Sequence, residues 1–376
     1  MYLSGLMAQT VISRRIFLKN TVRASALASA GSLFACGGKR QNEVALLSAA
    51  KGNDGKYFAV LLNSNLDILS KLELPRRGHA AVFNKNSEEA LFFSRRPGDE
   101  IFVFRKNATK IEKVLKSEPG RHFYGHGVLT QDSGYLLTTE NKYDSGQGIV
   151  VVRDALDNYK VVSEIASGGV GPHELALLSD GKTIVVANGG LRTHPEKNRI
   201  PLNTDTMQPN ISFIDLLSGD VLNQYSPPHH QMSLRHMSVD AADNVYVGVQ
   251  YMGGPLDDVP LVVRVQRERG MTSLAAPENY SVEQKHYTAS VCEQNGGVLV
   301  TCPKSSKITL WANDELQDTS VLKDVAGACK LRHSQQLVFS SGAGEIGFVH
   351  VHNKKIEILN KKIFDELRWD NHLIAV

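Results

Sequence analysis

The stretch GHGVLT, Gly125 to Thr130, sets a histidine between two glycines directly before a short apolar run. The same element, a small or turn residue, usually a histidine, and then a short strand, recurs along the chain. It appears as GHAAVF at His79, PHELAL at His173, RHMSVD at His236, TASVCE at Ala289, GACKLR at Ala328 and NHLIAV at His372. The steps between the seven instances are 47, 47, 63, 53, 39 and 44 residues. That is the size of a propeller blade, with insertions in the third and fourth units.

Each unit also reads as four strands. In the first, HAAVF, ALFFSR, EIFVFR and KIEKVLK are divided by NKNSEE, RPGD and KNAT, which is the alternation and turn chemistry of antiparallel strands. Long helical periodicity is absent. The two ends complete one another. NHLIAV supplies one strand, whereas EVALLSAA, KYFAVLLN and SKLELP near residue 43 supply three with no first strand of their own. The sequence therefore predicts an all-β fold, a single seven-bladed β-propeller over residues 43–376. The C-terminal strand is expected to close the ring by pairing with the N-terminal strands, leaving no free edge between first and last blade.

With 42% hydrophobic and 22% charged residues in 376, the chain can bury a core and is neither wholly disordered nor a membrane bundle. Residues 1–36 are different. SRRIFLKN (Ser13 to Asn20) followed by the weakly apolar TVRASALASAGSLFAC is the pattern of a twin-arginine export signal. LFAC, ending at Cys36, resembles a lipoprotein cleavage box, with residues 37–42 as a linker. The expected location is the periplasm, with membrane contact only through a lipid on Cys36. The signal carries four cations, Arg14, Arg15, Lys19 and Arg23, and no acid before Cys36. Its removal takes the formal charge from +3 to −1. A near-neutral body gives no electrostatic reason to bind nucleic acid. The remaining cysteines, Cys292, Cys302 and Cys329, form no CxxC pair; a Cys292–Cys302 disulfide and free thiols are both compatible with their spacing.

In a propeller the innermost strands line a central channel, and the loops leading into them lie on one face. His79, His126, His173, His236 and His372 are thus expected around one channel mouth, with Arg121, Tyr124, Arg235 and Asn371 near them. The loops between second and third strands share that face and are polar. SRRPGD carries Arg95 and Arg96, TTENKYDSGQG carries Glu140 and Asn141, ANGGLRTHPEKN carries Asn188 and QYMGGPLDD carries Gln250. The longest insertion, residues 191–210, belongs there too. The other face has short turns, and one-sided elaboration of this kind marks a binding face. Imidazoles suit iron, copper and zinc, with Glu140 or Glu174 as a carboxylate partner. Two other roles fit the same residues: hydrogen bonding of each histidine to neighbouring loops, and contact with an organic or anionic ligand. No nucleophile elbow or phosphate-cradling loop is present.

The blocks RGHA, GRHFYGHGV, TTEN, GVGPHEL, VVANGG, THP, LNTDTM, RHM, SSGAGE and WDNHL resemble those of the bacterial domain-of-unknown-function 1513 family, exported propeller proteins. The resemblance implies the same fold but no established activity. It also implies proximity to imelysin-type lipoproteins and cytochrome-type proteins of the cell envelope, hence a role in periplasmic iron or other metal handling. Three functions follow as expectations: a metal-binding or scaffold protein of such a system, a propeller enzyme using His126 or His173 as base with Arg121 or Arg235 as anion stabiliser, and a pure protein-interaction module.

Overall fold

Seven four-stranded antiparallel sheets are arranged as blades in a ring. Their 28 strands are numbered β1 to β28 in chain order. The structure is a computed structural model describing residues 42–376 apart from 198, 333 and 335; the segment expected to be an export signal, and Cys36, lie outside the described residues. The inner strands are β4 (Gly78–Asn84), β8 (Arg121–Leu129), β12 (Pro172–Leu177), β16 (Met232–Val239), β20 (Val291–Gln294), β24 (Val325–Lys330) and β28 (Leu367–Ala375). Each is the strand read from the repeat.

The last of them closes the ring. β28 pairs antiparallel with β1 (Leu46–Gly52), from Leu46 opposite Ala375 to Gly52 opposite Leu367. Its sheet continues with β2 (Tyr57–Leu62) and β3 (Ile68–Leu74), so one strand from the end joins three from the start.

The core lies between blades. A middle strand is covered on both faces, and both of its side-chain rows are therefore apolar. In β1, Leu47 and Ala49 pack with Phe92, Phe102 and Phe104 of the next blade. On the opposite face, Leu46 and Ala50 pack with Val338, Ile346 and Trp369. Outer strands meet solvent and carry charge, as in β27 (Lys355–Ile363) with Lys355, Lys361 and Lys362, which blunts the exposed edges. Cys292, Cys302 and Cys329 are all free. Cys292 and Cys302 sit in different inter-blade cores, so no disulfide joins them.

Candidate functional site

The five histidines come from five consecutive blades and meet on the axis. His126 is the hub: its ring centroid lies 5.1 Å from His79, 5.0 Å from His173, 5.3 Å from His236 and 4.6 Å from His372. His79 and His372 are 4.3 Å apart, His173 and His236 4.6 Å, and His236 and His372 4.5 Å. All five are buried.

The strands aim them there by a shared device. The sequence reading places these histidines in loops before the inner strands, whereas the structure places them inside the strands, at breaks in register. The β4 ladder shifts between Gly78 and Ala81, β8 between Phe123 and Gly127, β12 between Pro172 and Glu174, and β16 between Leu234 and Met237. On β28 the shift falls between Trp369 and Leu373. Each interval contains one of the histidines. A bulge leaves a residue unpaired and re-aims its side chain, here toward the axis. Ser48 Oγ satisfies the carbonyl freed at His372, at 2.7 Å. Gly125, at φ +98°, is required beside His126. A Cβ there would come within 2.6 Å of the His79 ring, so the glycine makes room for the neighbouring imidazole.

Two carboxylates flank the layer. Glu174 Oε2 lies 3.2 Å from His236 Nδ1 and accepts the Met237 N–H at 3.0 Å; its Oε1 lies 3.8 Å from His126 Nδ1. Asp370 Oδ1 lies 3.5 Å from His79 Nδ1, long for a hydrogen bond. With Nδ1 turned to carboxylates, the Nε2 atoms of His79, His126 and His236 face other imidazoles or the cavities. His79 Nε2 and His372 Nε2 are 3.2 Å apart, and neither His126 Nε2 nor His173 Nδ1 has a hydrogen-bond partner.

Burial, aided by neighbouring charge, keeps these imidazoles neutral. It lowers the pKa of His126 to about 4 against the pull of Glu174, and that of His236 to about 3, with Arg235 adding to the effect. His79, His173 and His372 are likewise held well below the ordinary range by burial, then by each other and by Arg95 or Arg235. A histidine unprotonated in the fold and protonated when unfolded makes the unfolded chain bind more protons. Stability is then fully present above the unfolded pKa of about 6.5 and falls as pH drops toward about 4, by up to about 1.4 kcal/mol per pH unit for each such group. In metal-stripped protein, the urea midpoint is expected to drop by well over 1 M between pH 7.5 and pH 5. A flat profile across that window would show that the layer accepts protons in the fold.

The layer separates two cavities. One, of about 160 Å³, opens toward the elaborated face and is lined by His79, His173 and His236 with Arg95, Arg96, Arg199, Arg235, Tyr124, Gln250, Tyr287 and Asn371. The other, of about 230 Å³, is lined by Glu174, His236 and His372 with Cys292, Ala328 and Cys329.

Of the remaining expected site residues, Tyr124, Arg235, Gln250 and Asn371 line the first cavity and Glu174 the second. Four lie elsewhere. Arg121 is taken up by Glu164 at 2.7 Å and 3.2 Å. Glu140 and Asn141 belong to strand β9 (Tyr135–Lys142) rather than to the loop after it, both fully buried, and Glu140 is bound to Arg153 at 2.9 Å. Asn188 ends β13 (Thr183–Asn188) and is held by Ser167 and Asn210. Conversely, Arg199, Tyr287 and Asp370 escaped the sequence reading, and Arg95 and Arg96 were visible in it only as a polar loop.

A family model described as "Protein of unknown function (DUF1513)" matches residues 72–376. No curated protein matches the chain. Among solved structures, hydrazine synthase from Kuenenia stuttgartiensis is similar at a TM-score of 0.59 and 12% identity, covering 88% of this chain and 100% of that one. U3-55K is similar at 0.58 and 8%, covering 80% and 88%. BamB from Moraxella catarrhalis is similar at 0.51 and 9%, covering 90% and 89%. At such identities the likeness is one of fold alone.

Proposed function

The chain belongs to the DUF1513 family of proteins of unknown function, and from that premise we propose that it is a metal-binding propeller of the cell envelope. His79, His126, His173, His236 and His372 would supply the ligands for one transition-metal ion, iron, copper or zinc. The observation that carries this reading is the convergence of five buried imidazoles on the axis, with His126 Nε2 and His173 Nδ1 left without a hydrogen-bond partner. His79 and His372 share one N–H···N hydrogen bond between their Nε2 atoms; two nitrogens that ligate one ion at about 2.0–2.1 Å lie roughly 3 Å apart, so the same spacing suits a ligand pair once that proton leaves. His126, His79 and His173 form one group whose ligand atoms all lie within 4.8 Å, and His126, His236 and His372 form another. Glu174, bonded to His236 Nδ1, would act as an outer carboxylate that fixes that ring and raises its basicity as a ligand.

The twin-arginine pattern supports export to the periplasm in a folded, loaded state, with Cys36 as an anchor. An accessory role in iron or other metal handling, beside imelysin-type or cytochrome-type partners, is the setting that the family resemblance favours.

The test is elemental analysis of the full chain as isolated, with isothermal titration of Zn²⁺, Cu²⁺ and Fe²⁺ into stripped protein. One equivalent is expected, and His126→Ala/His372→Ala should weaken binding about 100-fold or more. Negligible metal as isolated, together with no binding tighter than about 10 µM, would overturn the reading.

A further inference from the structure

The cavity above the histidine layer gathers cations. Arg95 and Arg96 reach it from the loop between β5 (Glu89–Ser94) and β6 (Glu100–Arg105), Arg235 from β16 and Arg199 from the 191–210 insertion. Arg235 is 4% exposed. Its Nε and one terminal nitrogen each of Arg95 and Arg96 are buried without a hydrogen-bond partner. Among the described residues, the only carboxylate that pairs with any of these four arginines is Asp370, 3.5 Å from Arg95. Arg77 and His79 share that same carboxylate. The guanidinium of Arg96 lies over the Tyr124 ring at 5.2 Å, which holds it in place.

A buried charge without a counterion is costly; Arg235 is buried, Arg95 and Arg96 are half-buried, and the three face one shared acid. A cation entering this cavity would add to the imbalance; an anion removes it. Guanidinium forks match the oxygen pairs of carboxylates and phosphates, and several forks from separate elements match more than one such edge. The cavity, of about 160 Å³, has room for a phosphate or a two-carbon dicarboxylate.

We propose that this cavity is a binding site for a small oxyanion carrying two or more negative charges, held by Arg95, Arg96, Arg199 and Arg235. It adjoins the histidine layer, since His79, His173 and His236 also line the cavity, but its arginine contacts do not depend on those rings holding an ion.

The experiment is therefore run on metal-stripped full chain. Stripping uses an immobilised resin, because a soluble polycarboxylate chelator would itself compete. Phosphate, oxalate, acetate and chloride are titrated calorimetrically at low ionic strength. Phosphate or oxalate is expected to bind at least 10-fold tighter than acetate or chloride. The tighter of the two tells an inorganic from an organic source. Arg235→Met should weaken that binding at least 10-fold. Arg199→Ser, on an exposed loop where folding is not at stake, should weaken it about 3-fold or more while leaving the anion-free melting temperature unchanged. No preference for the divalent anions, or affinity unaltered in both variants, would overturn the proposal. Failure of the metal reading would leave these results untouched.

Discussion

A chain that stops after Glu366 is expected to lose cooperative folding altogether. The missing segment is β28, whose ladder with β1 joins residues more than three hundred positions apart. It carries Leu367, Trp369 and Leu373, all essentially buried. At about 1.5–3 kcal/mol for each buried side chain, their loss alone removes roughly 5–9 kcal/mol, comparable with the 5–15 kcal/mol that holds a typical domain folded. The cut also strips β1 of its inner partner, leaving it paired only with β2, and exposes an apolar edge, which invites aggregation. Near-ultraviolet circular dichroism and size-exclusion chromatography read the outcome: no sharp thermal transition and material in the void volume. Trp369→Ala should lose only about 3–5 kcal/mol and still melt cooperatively. A truncated chain that folds as a monomer would show that ring closure contributes little.

The second large effect is expected far from the axis. Arg153→Met should destabilise the protein by about 3–5 kcal/mol, because it leaves Glu140 buried without its counterion. Glu140 Oε1 accepts from Arg153 at 2.9 Å and from Thr138 Oγ1 at 3.2 Å, while Oε2 has no partner. Burial already raises this carboxyl's pKa against the pull of Arg153. Glu140→Leu/Arg153→Met, which removes both charges, should recover most of the loss. Urea midpoints of the four proteins in a double-mutant cycle give the coupling directly. A single Arg153 variant costing under about 1 kcal/mol would mean that water or relaxation supplies what the pair was thought to supply.

That pair also shows why the site was only partly legible in the sequence. Blade number and closure could be read because each depends on alternation and spacing, which the sequence carries residue by residue. The convergence of the histidines followed from topology. Their placement within bulges did not, since one extra residue in a strand leaves the hydropathy pattern nearly unchanged. TTEN looks like a loop because it is polar, yet its glutamate is satisfied by an arginine on the next strand, β10 (Gln147–Asp154). Composition does not distinguish an internally paired charge from a solvated one. Arg121 misled for the same reason, its partner Glu164 lying 43 residues on. Arg199 was hidden because its insertion has no periodicity to say which way a side chain turns.

Among the described residues, two neighbouring blades place no imidazole on the axis: their repeat positions are Ala289 and Ala328. Four rings cluster around His126 at centroid spacings under 5.5 Å. The vacated sector makes the plug lopsided, with the lower chamber running up beside Ser290 and Ala328 to His236 and His372. Traffic to the imidazoles from below would thus pass through a one-sided porthole. Filling it with a bulky side chain at Ala328 would shut that route while leaving the arginine-lined doorway open.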